Sequence, residues 1–299
     1  WIVAYRDSGS GVFSWSDINE QEDNVFIIGQ EETVELPPIP PGTRARDFQM
    51  RSFHHYILDD ASAAAVIGDD LVGGYNTRYY RIGTYDNGGN GEYLQYPSFS
   101  VYPGLAVWFL ARNGLTVDVT GVPVTVTEDV DVPLQFNGDT DNGWNMIGPP
   151  NDRNYLWSDV EVVVYGGSGN CDIVFGPTRI ADLGASNPYL DLRLWEWVDG
   201  AYADASMMMS GYGYWVKTLQ KGVVLRFPVG SQATLKNPGV LLAAGVDKIR
   251  QEARKLVSPA EALADGGGDT PPRPMDAVED EGKDGSSSGG KCFINTLDD

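Results

Sequence analysis

The sequence predicts an all-β protein: tandem β-sandwich or barrel-like modules followed by a short C-terminal helix and a disordered tail. Three observations carry that expectation. Residues 1–230 are dense in short runs of Val, Ile, Tyr, Trp, Phe and Thr set between Gly, Asn, Asp and Pro, the composition of short strands joined by tight turns. Blocks within 46–121 reappear in the same order within 142–228. Beyond residue 230 the character changes to one amphipathic stretch and then an acidic Gly/Ser/Pro segment.

In chain order, residues 1–41 form a strand-rich lead-in, read as the end of a preceding module, with strands over 1–5, 25–28 and 33–36. The Pro37-Pro38-Ile39-Pro40-Pro41-Gly42 run closes it as a stiff, extended connector. The first β module spans 42–130, with strands over 79–85, 105–110, 115–120 and 122–127 and a helical turn over 59–67, where Ala is concentrated. The second spans 131–230, with strands over 160–165, 192–198, 213–218 and 222–227. It carries an insertion around 168–188, in which 178–184 suits a short helix. Asn113-Gly114, Asn137-Gly138, Asp199-Gly200 and the Gly-rich run over 86–91 supply positions that need positive φ. In the 231–264 linker, Val246, Ile249, Ala253 and Leu256 share one stripe of a helix over 246–257 that Pro259 stops. Residues 265–299 hold nine acids against three bases and few apolar side chains, too little to offset the entropy of ordering.

The internal duplication organises this reading. Phe48-Gln49-Met50 resembles Trp144-Asn145-Met146, and Tyr80-Arg81-Ile82 with Tyr85 resembles Leu192-Arg193-Leu194 with Trp197. Gly91-Glu92-Tyr93 matches Gly200-Ala201-Tyr202, and Leu105-Ala106-Val107-Trp108-Phe109 matches Tyr212-Gly213-Tyr214-Trp215-Val216. Independent coincidences would not keep one order and one approximate spacing.

Composition excludes several functions. Asp plus Glu number 42 against 21 Lys plus Arg, a net charge of −21, which repels a phosphate backbone and argues against nucleic acid as a partner. No apolar run approaches the ~20 residues of a membrane-spanning helix. Residue 1 is Trp, without initiator Met or signal-like segment, so the true amino terminus is expected upstream. His54-His55 is the whole histidine content, and adjacent strand residues point to opposite faces, so a structural role is the reading for both. Pairs such as Asp69-Asp70 are what chance gives in so acidic a chain, and no phosphate loop is present, so no enzyme activity is expected and no cofactor is implied. Asn137, Asp139 and Asp141 sit in an oxygen-rich turn. A solvated turn is favoured there, with calcium as the alternative ligand.

Rings crowd the second module. Trp195, Trp197 and Tyr202 are the candidate ligand-binding residues, because flat rings on one sheet face can stack on sugars. The repeat itself favours core packing for Trp108 and Trp215, which match each other. Trp195 faces Gly83 in the alignment of the copies, so it is expected to be free for the surface.

The segment Ser286 to Asn295 carries Cys292-Phe293-Ile294 after a Gly/Ser spacer. It resembles the carboxy-terminal Cys-Phe-Ile box of exported bacterial proteins, with Asn295-Thr296-Leu297 in place of the usual small residues. The resemblance implies a sorting or anchoring role for Cys292, Phe293 and Ile294. The Trp144 to Gly148 opening and the Gly213 to Val216 close are similar to β-rich repeats of large secreted bacterial surface proteins, which implies an extracellular setting and brings no enzyme residues. The functional expectation is a non-catalytic structural or adhesive protein of a bacterial cell surface. Its partners would be other surface proteins or copies of itself, assembling in fibres through edge strands. The alternative is a pair of carbohydrate-binding modules, ancillary to a secreted hydrolase, with glycans as partners.

Overall fold

A computed structural model describes residues 3–5, 26–88, 91–138, 142–166, 172–230 and 270–275. The expected 246–257 helix and most of the tail lie outside the described residues. Strands β1 (Val3–Tyr5) and β2 (Phe26–Ile28) pair in parallel. The first repeated unit comprises β3 (Glu32–Glu35), β4 (Gln49–Ser52), β5 (His55–Tyr56), α1 (Ala63–Ile67), β6 (Tyr80–Asp86), β7 (Glu92–Gln95), β8 (Ala106–Ala111) and β9 (Asp118–Pro123). The second comprises β10 (Val130–Pro133), β11 (Trp144–Ile147), β12 (Tyr155–Leu156), β13 (Glu161–Tyr165), β14 (Ile173–Arg179), β15 (Leu194–Val198), β16 (Ala201–Ala205), β17 (Met207–Met208), β18 (Tyr214–Lys217) and β19 (Val223–Phe227). The fold is all-β, with α1 the one α-helix among the described residues.

One topology is written twice. The inner sheet runs β4-β8-β6-β7 in the first unit and β11-β18-β15-β16 in the second, and the outer sheets run β3-β9-β5 and β10-β19-β13-β14. The four sheets stand in a ring, in the manner of propeller blades. Each unit encloses its own core. Phe53, Ile82, Val107, Phe109 and Val119 fill the first, and Val132, Val162, Tyr214, Val216 and Phe227 the second. Leu36 and Ile39 belong to the first core, and β3 pairs with β9, so residues 32–41 open the first unit rather than ending an earlier one. Their length of extended backbone is pinned by Arg51, whose guanidinium donates to the carbonyls of Pro37 at 2.7 Å and Pro38 at 2.8 Å.

Both faces of the inner sheets are covered, which is why all of β8 is buried and reads as an unbroken apolar run instead of an alternation. Val107 and Phe109 face the first core, while Ala106, Trp108 and Leu110 face a third core between the two inner sheets. Two equivalent links join these sheets. The Ser52 N–H donates to the Gly211 carbonyl at 3.2 Å, and the Gly148 N–H donates to the Gly104 carbonyl at 3.0 Å. Arg51 bridges Tyr212 as Ile147 bridges Leu105. The pattern is that of a pseudo-two-fold axis through the third core. Buried Asn87 adds a link between units by donating to the Gln135 carbonyl at 2.7 Å.

Smaller expectations are adjusted. The helical turn over 59–67 is α1, started by Ser62, whose Oγ accepts the Ala65 N–H. The helix expected over 178–184 is a single 3₁₀ turn, Ile180–Asp182, at the end of β14. The two strands expected over 115–120 and 122–127 are one, β9, which passes straight through Gly121.

Candidate functional site

The third core is a stack of rings. Phe48 meets Trp108 edge-on at 5.9 Å, as Trp144 meets Trp215 at 6.4 Å. Tyr85 of the first unit meets Trp215 of the second at 5.3 Å, and Trp197 of the second meets Trp108 of the first at 5.9 Å. Each of these partners then leans on a tyrosine: Tyr85 on Tyr93 at 5.3 Å and Trp197 on Tyr202 at 4.8 Å. Each of these contacts occurs twice, related by the pseudo-dyad. Edge-to-face pairs of this kind contribute about 0.5–1.5 kcal/mol beyond area burial. Trp108 and Trp215 are 0% exposed.

Register fixes one place where the copies differ. Gly83 pairs with Trp108 as Trp195 pairs with Trp215, so an indole in the second unit corresponds to no side chain in the first. The notch over Gly83 is filled from far along the chain. A Cβ on Gly83 would stand 2.5 Å from the Met275 sulfur and 2.7 Å from the Leu94 carbonyl, and Met275 is a buried member of the third core. The segment leading to it crosses the seam between the two tyrosines. The Tyr93 hydroxyl donates to the Arg273 carbonyl at 2.7 Å and the Pro272 carbonyl at 3.2 Å, and the Tyr202 hydroxyl donates to the same Pro272 carbonyl. Burial pushes both phenols well above the ordinary tyrosine range, so each is a neutral O–H donor matched to peptide carbonyls. The Trp108 and Trp215 indoles oppose those shifts from beside the Tyr93 and Tyr202 hydroxyls, without reaching hydrogen-bond geometry.

The residues singled out from sequence are placed as follows. Trp195, expected at the surface, is buried at 7% exposure, with the Arg193 guanidinium 5.0 Å from its ring centroid. The expectation failed because Trp195 lies on the strand face that closes the third core. Trp197 and Tyr202 are half-buried and come together at the seam, their rings packed against that core. No flat platform of three rings forms. Asn137 is half-buried, while Asp139 and Asp141 lie outside the described residues, as do Cys292, Phe293 and Ile294. Among the described residues no three His, Cys, Asp or Glu side chains gather as a metal-binding group, and no helix is long and apolar enough to cross a membrane.

Two titratable sites lie in the first unit. His54 and His55 are buried side by side, ring centroids 4.7 Å apart. Burial, and then the neighbouring His55, lower the His54 pKa to about 4. Asp70 does not pair with Asp69; its Oδ2 accepts the Asp118 N–H at 3.1 Å. Burial, and then the Asp118 side chain, raise the Asp70 carboxyl to about 7. Sequence reasoning missed Tyr93, Gly83 and Met275 as parts of a site. The signal for the first two was the alignment of the copies, which puts Tyr93 opposite Tyr202 and Gly83 opposite Trp195.

Comparison with known proteins finds no matching family model, no matching curated protein and no matching solved structure.

Proposed function

We propose that this chain is a non-catalytic structural or adhesive protein of the bacterial cell exterior, in which two copies of one module act as a single rigid body on an anchored tail. The observation that carries this reading is the shared third core: the repeated rings Trp108 and Trp215 are spent on joining the copies, and fusing two domains through a dry aromatic core yields stiffness rather than a substrate cleft. The edge of the second outer sheet supports a contact role. There β14 exposes Ile173 at 47% and Val174 at 66%, and an unpaired apolar edge strand invites another strand, from a second copy or another surface protein. The resemblance of Cys292-Phe293-Ile294 to a sorting box supplies the anchoring half of the reading.

The test is labelling of intact producing cells with an antibody to the folded core. Surface label is expected, with Cys292→Ser moving the protein to the culture medium. Label that appears only after lysis would overturn the reading.

A further inference from the structure

The seam between the modules has the makings of a peptide-recognition site, and its ligand is already on it. Residues 270–275 read Thr-Pro-Pro-Arg-Pro-Met. Each proline fixes its own φ and holds the residue before it extended, so residues 270–273 are biased toward a polyproline-type strand before they touch anything, and the chain bends at Pro274 and turns at Met275. Such a strand has three residues per turn, and the burial follows that period: Pro271 and Pro274 are buried, Arg273 between them is exposed, and Met275 ends the run in the core. The protein side answers with two features. Tyr93 and Tyr202, equivalent residues of the two copies, donate to consecutive carbonyls of the strand. The Gly83 notch takes the methionine side chain, with no room even for a Cβ.

We propose that the seam is a binding site for an extended proline-rich peptide ending in methionine, and that residues 270–275 occupy it as a tethered, exchangeable ligand. Carbonyl recognition by the paired tyrosines sets the position of the strand. The notch sets specificity, because an unbranched, polarizable thioether fills an irregular slot that β-branched or ring side chains do not. The tether holds the ligand at high effective concentration, which closes the site to competitors. This inference stands apart from the extracellular reading, since it rests on contacts within the chain.

The test uses the full chain in two forms: wild type, and one in which residues 270–275 alone are replaced by an equally long Gly/Ser run. The probe is a fluorescein-labelled peptide of residues 269–276. The replaced chain is expected to bind it saturably in anisotropy titrations and the wild-type chain at least tenfold more weakly. A peptide carrying Met275→Ala should lose at least tenfold on the replaced chain. Absence of binding to a replaced chain whose near-ultraviolet circular dichroism matches wild type overturns the proposal, as does equal binding by both chains or by a scrambled peptide. Should the replaced chain fail to fold, wild-type protein labelled at methionine methyl carbons decides. The Met275 methyl, assigned with Met275→Leu, is expected well upfield from ring currents, and a resonance at the free-methionine position refutes docking.

Discussion

The first module meets the seam with a glycine where the second presents a tryptophan, and around that difference almost every contact is matched. Trp215 receives Tyr85 from across the axis as Trp108 receives Trp197, and Trp144 flanks one as Phe48 flanks the other. A duplicated fold makes equal demands on its two copies. Close packing tolerates few voids, so a ring absent from one copy has to be replaced by something. Here the replacement is Met275, delivered by a segment that the second copy does not need. A departure from symmetry in a duplicated core thus marks where a ligand, or a distant part of the chain, is received.

The largest effects should come from the matched rings. Trp108→Ala and Trp215→Ala should each destabilise the fold by about 3–5 kcal/mol, the usual cost of emptying a buried tryptophan site, read from the shift of a urea unfolding curve. The two costs should agree to within about 1 kcal/mol if the copies use their tryptophans alike. A near-neutral result at either position would break the equivalence. Trp195→Ala, at 7% exposure, belongs in the same range, and a negligible cost would return it to the surface role that its sequence suggested.

The next difference is in proton binding. The first copy follows β4 with His54-His55, whereas the second follows β11 with Pro149, Pro150 and Asn151, so acid sensitivity should reside in the first copy. His54 titrates at about 4 in the fold against 6.5 when unconstrained, and the unfolded chain therefore binds the extra proton first as pH falls. Stability is fully held above pH 6.5 and lost progressively toward pH 4, by roughly 3 kcal/mol for a shift of that size. Urea midpoints measured from pH 8 to pH 4 should show the decline, and His54→Gln should flatten it. A variant with an unchanged slope would place the acid response elsewhere.

How much of this was readable in the sequence follows the range of the interactions. Repeated turns and rings encode the duplication locally, so the pairing of Trp108 with Trp215 and of Tyr93 with Tyr202 was there to be aligned. Gly121 separated the two strands expected over 115–120 and 122–127, yet β9 runs through it, with the Tyr56 carbonyl 2.5 Å from where its Cβ would be. The bare backbone serves a close approach, a reason that sequence spacing does not reveal. Strand β14 was hidden by Gly176-Pro177, a breaker signal in a central strand but tolerated on a sheet edge. The docking of Met275 was least legible: residues 265–299 have the composition of a solvated tail, and the notch that receives one methionine lies almost two hundred residues away.

Met275→Ala should cost less global stability than any of the tryptophan changes, because the segment can leave as a unit while the two sheets stay joined by the Ser52–Gly211 and Gly148–Gly104 hydrogen bonds. The loss should be no more than about 2 kcal/mol, the lower end for emptying a buried methionine site, and it should appear chiefly as faster proteolysis of the tail. A cost equal to that of Trp195→Ala would mean that Met275 is as integral to the core as the indole opposite it.

The smallest effect concerns Asp70, and its sign is opposite to that of His54. Its folded pKa of about 7 stands above the ordinary carboxyl value of 3.8, so the folded chain holds the proton more tightly. The stabilisation is complete below pH 3.8 and is lost as pH rises through 7. The cause is burial and the facing Asp118 side chain, a pairing confined to the first copy, since β19 begins Val223-Val224 where β9 begins Asp118-Val119. Because Asp70 keeps part of its surface in water, the effect should be about 1 kcal/mol or less after screening. Asp70→Asn retains an oxygen to accept the Asp118 N–H and cannot ionise, so its urea midpoint should match wild type at about pH 3.5 and exceed it at pH 8. Equal midpoints at both pH values would show that the carboxyl is solvated enough to ionise freely, leaving the buried His54-His55 pair as the titrating groups by which the first copy differs from the second.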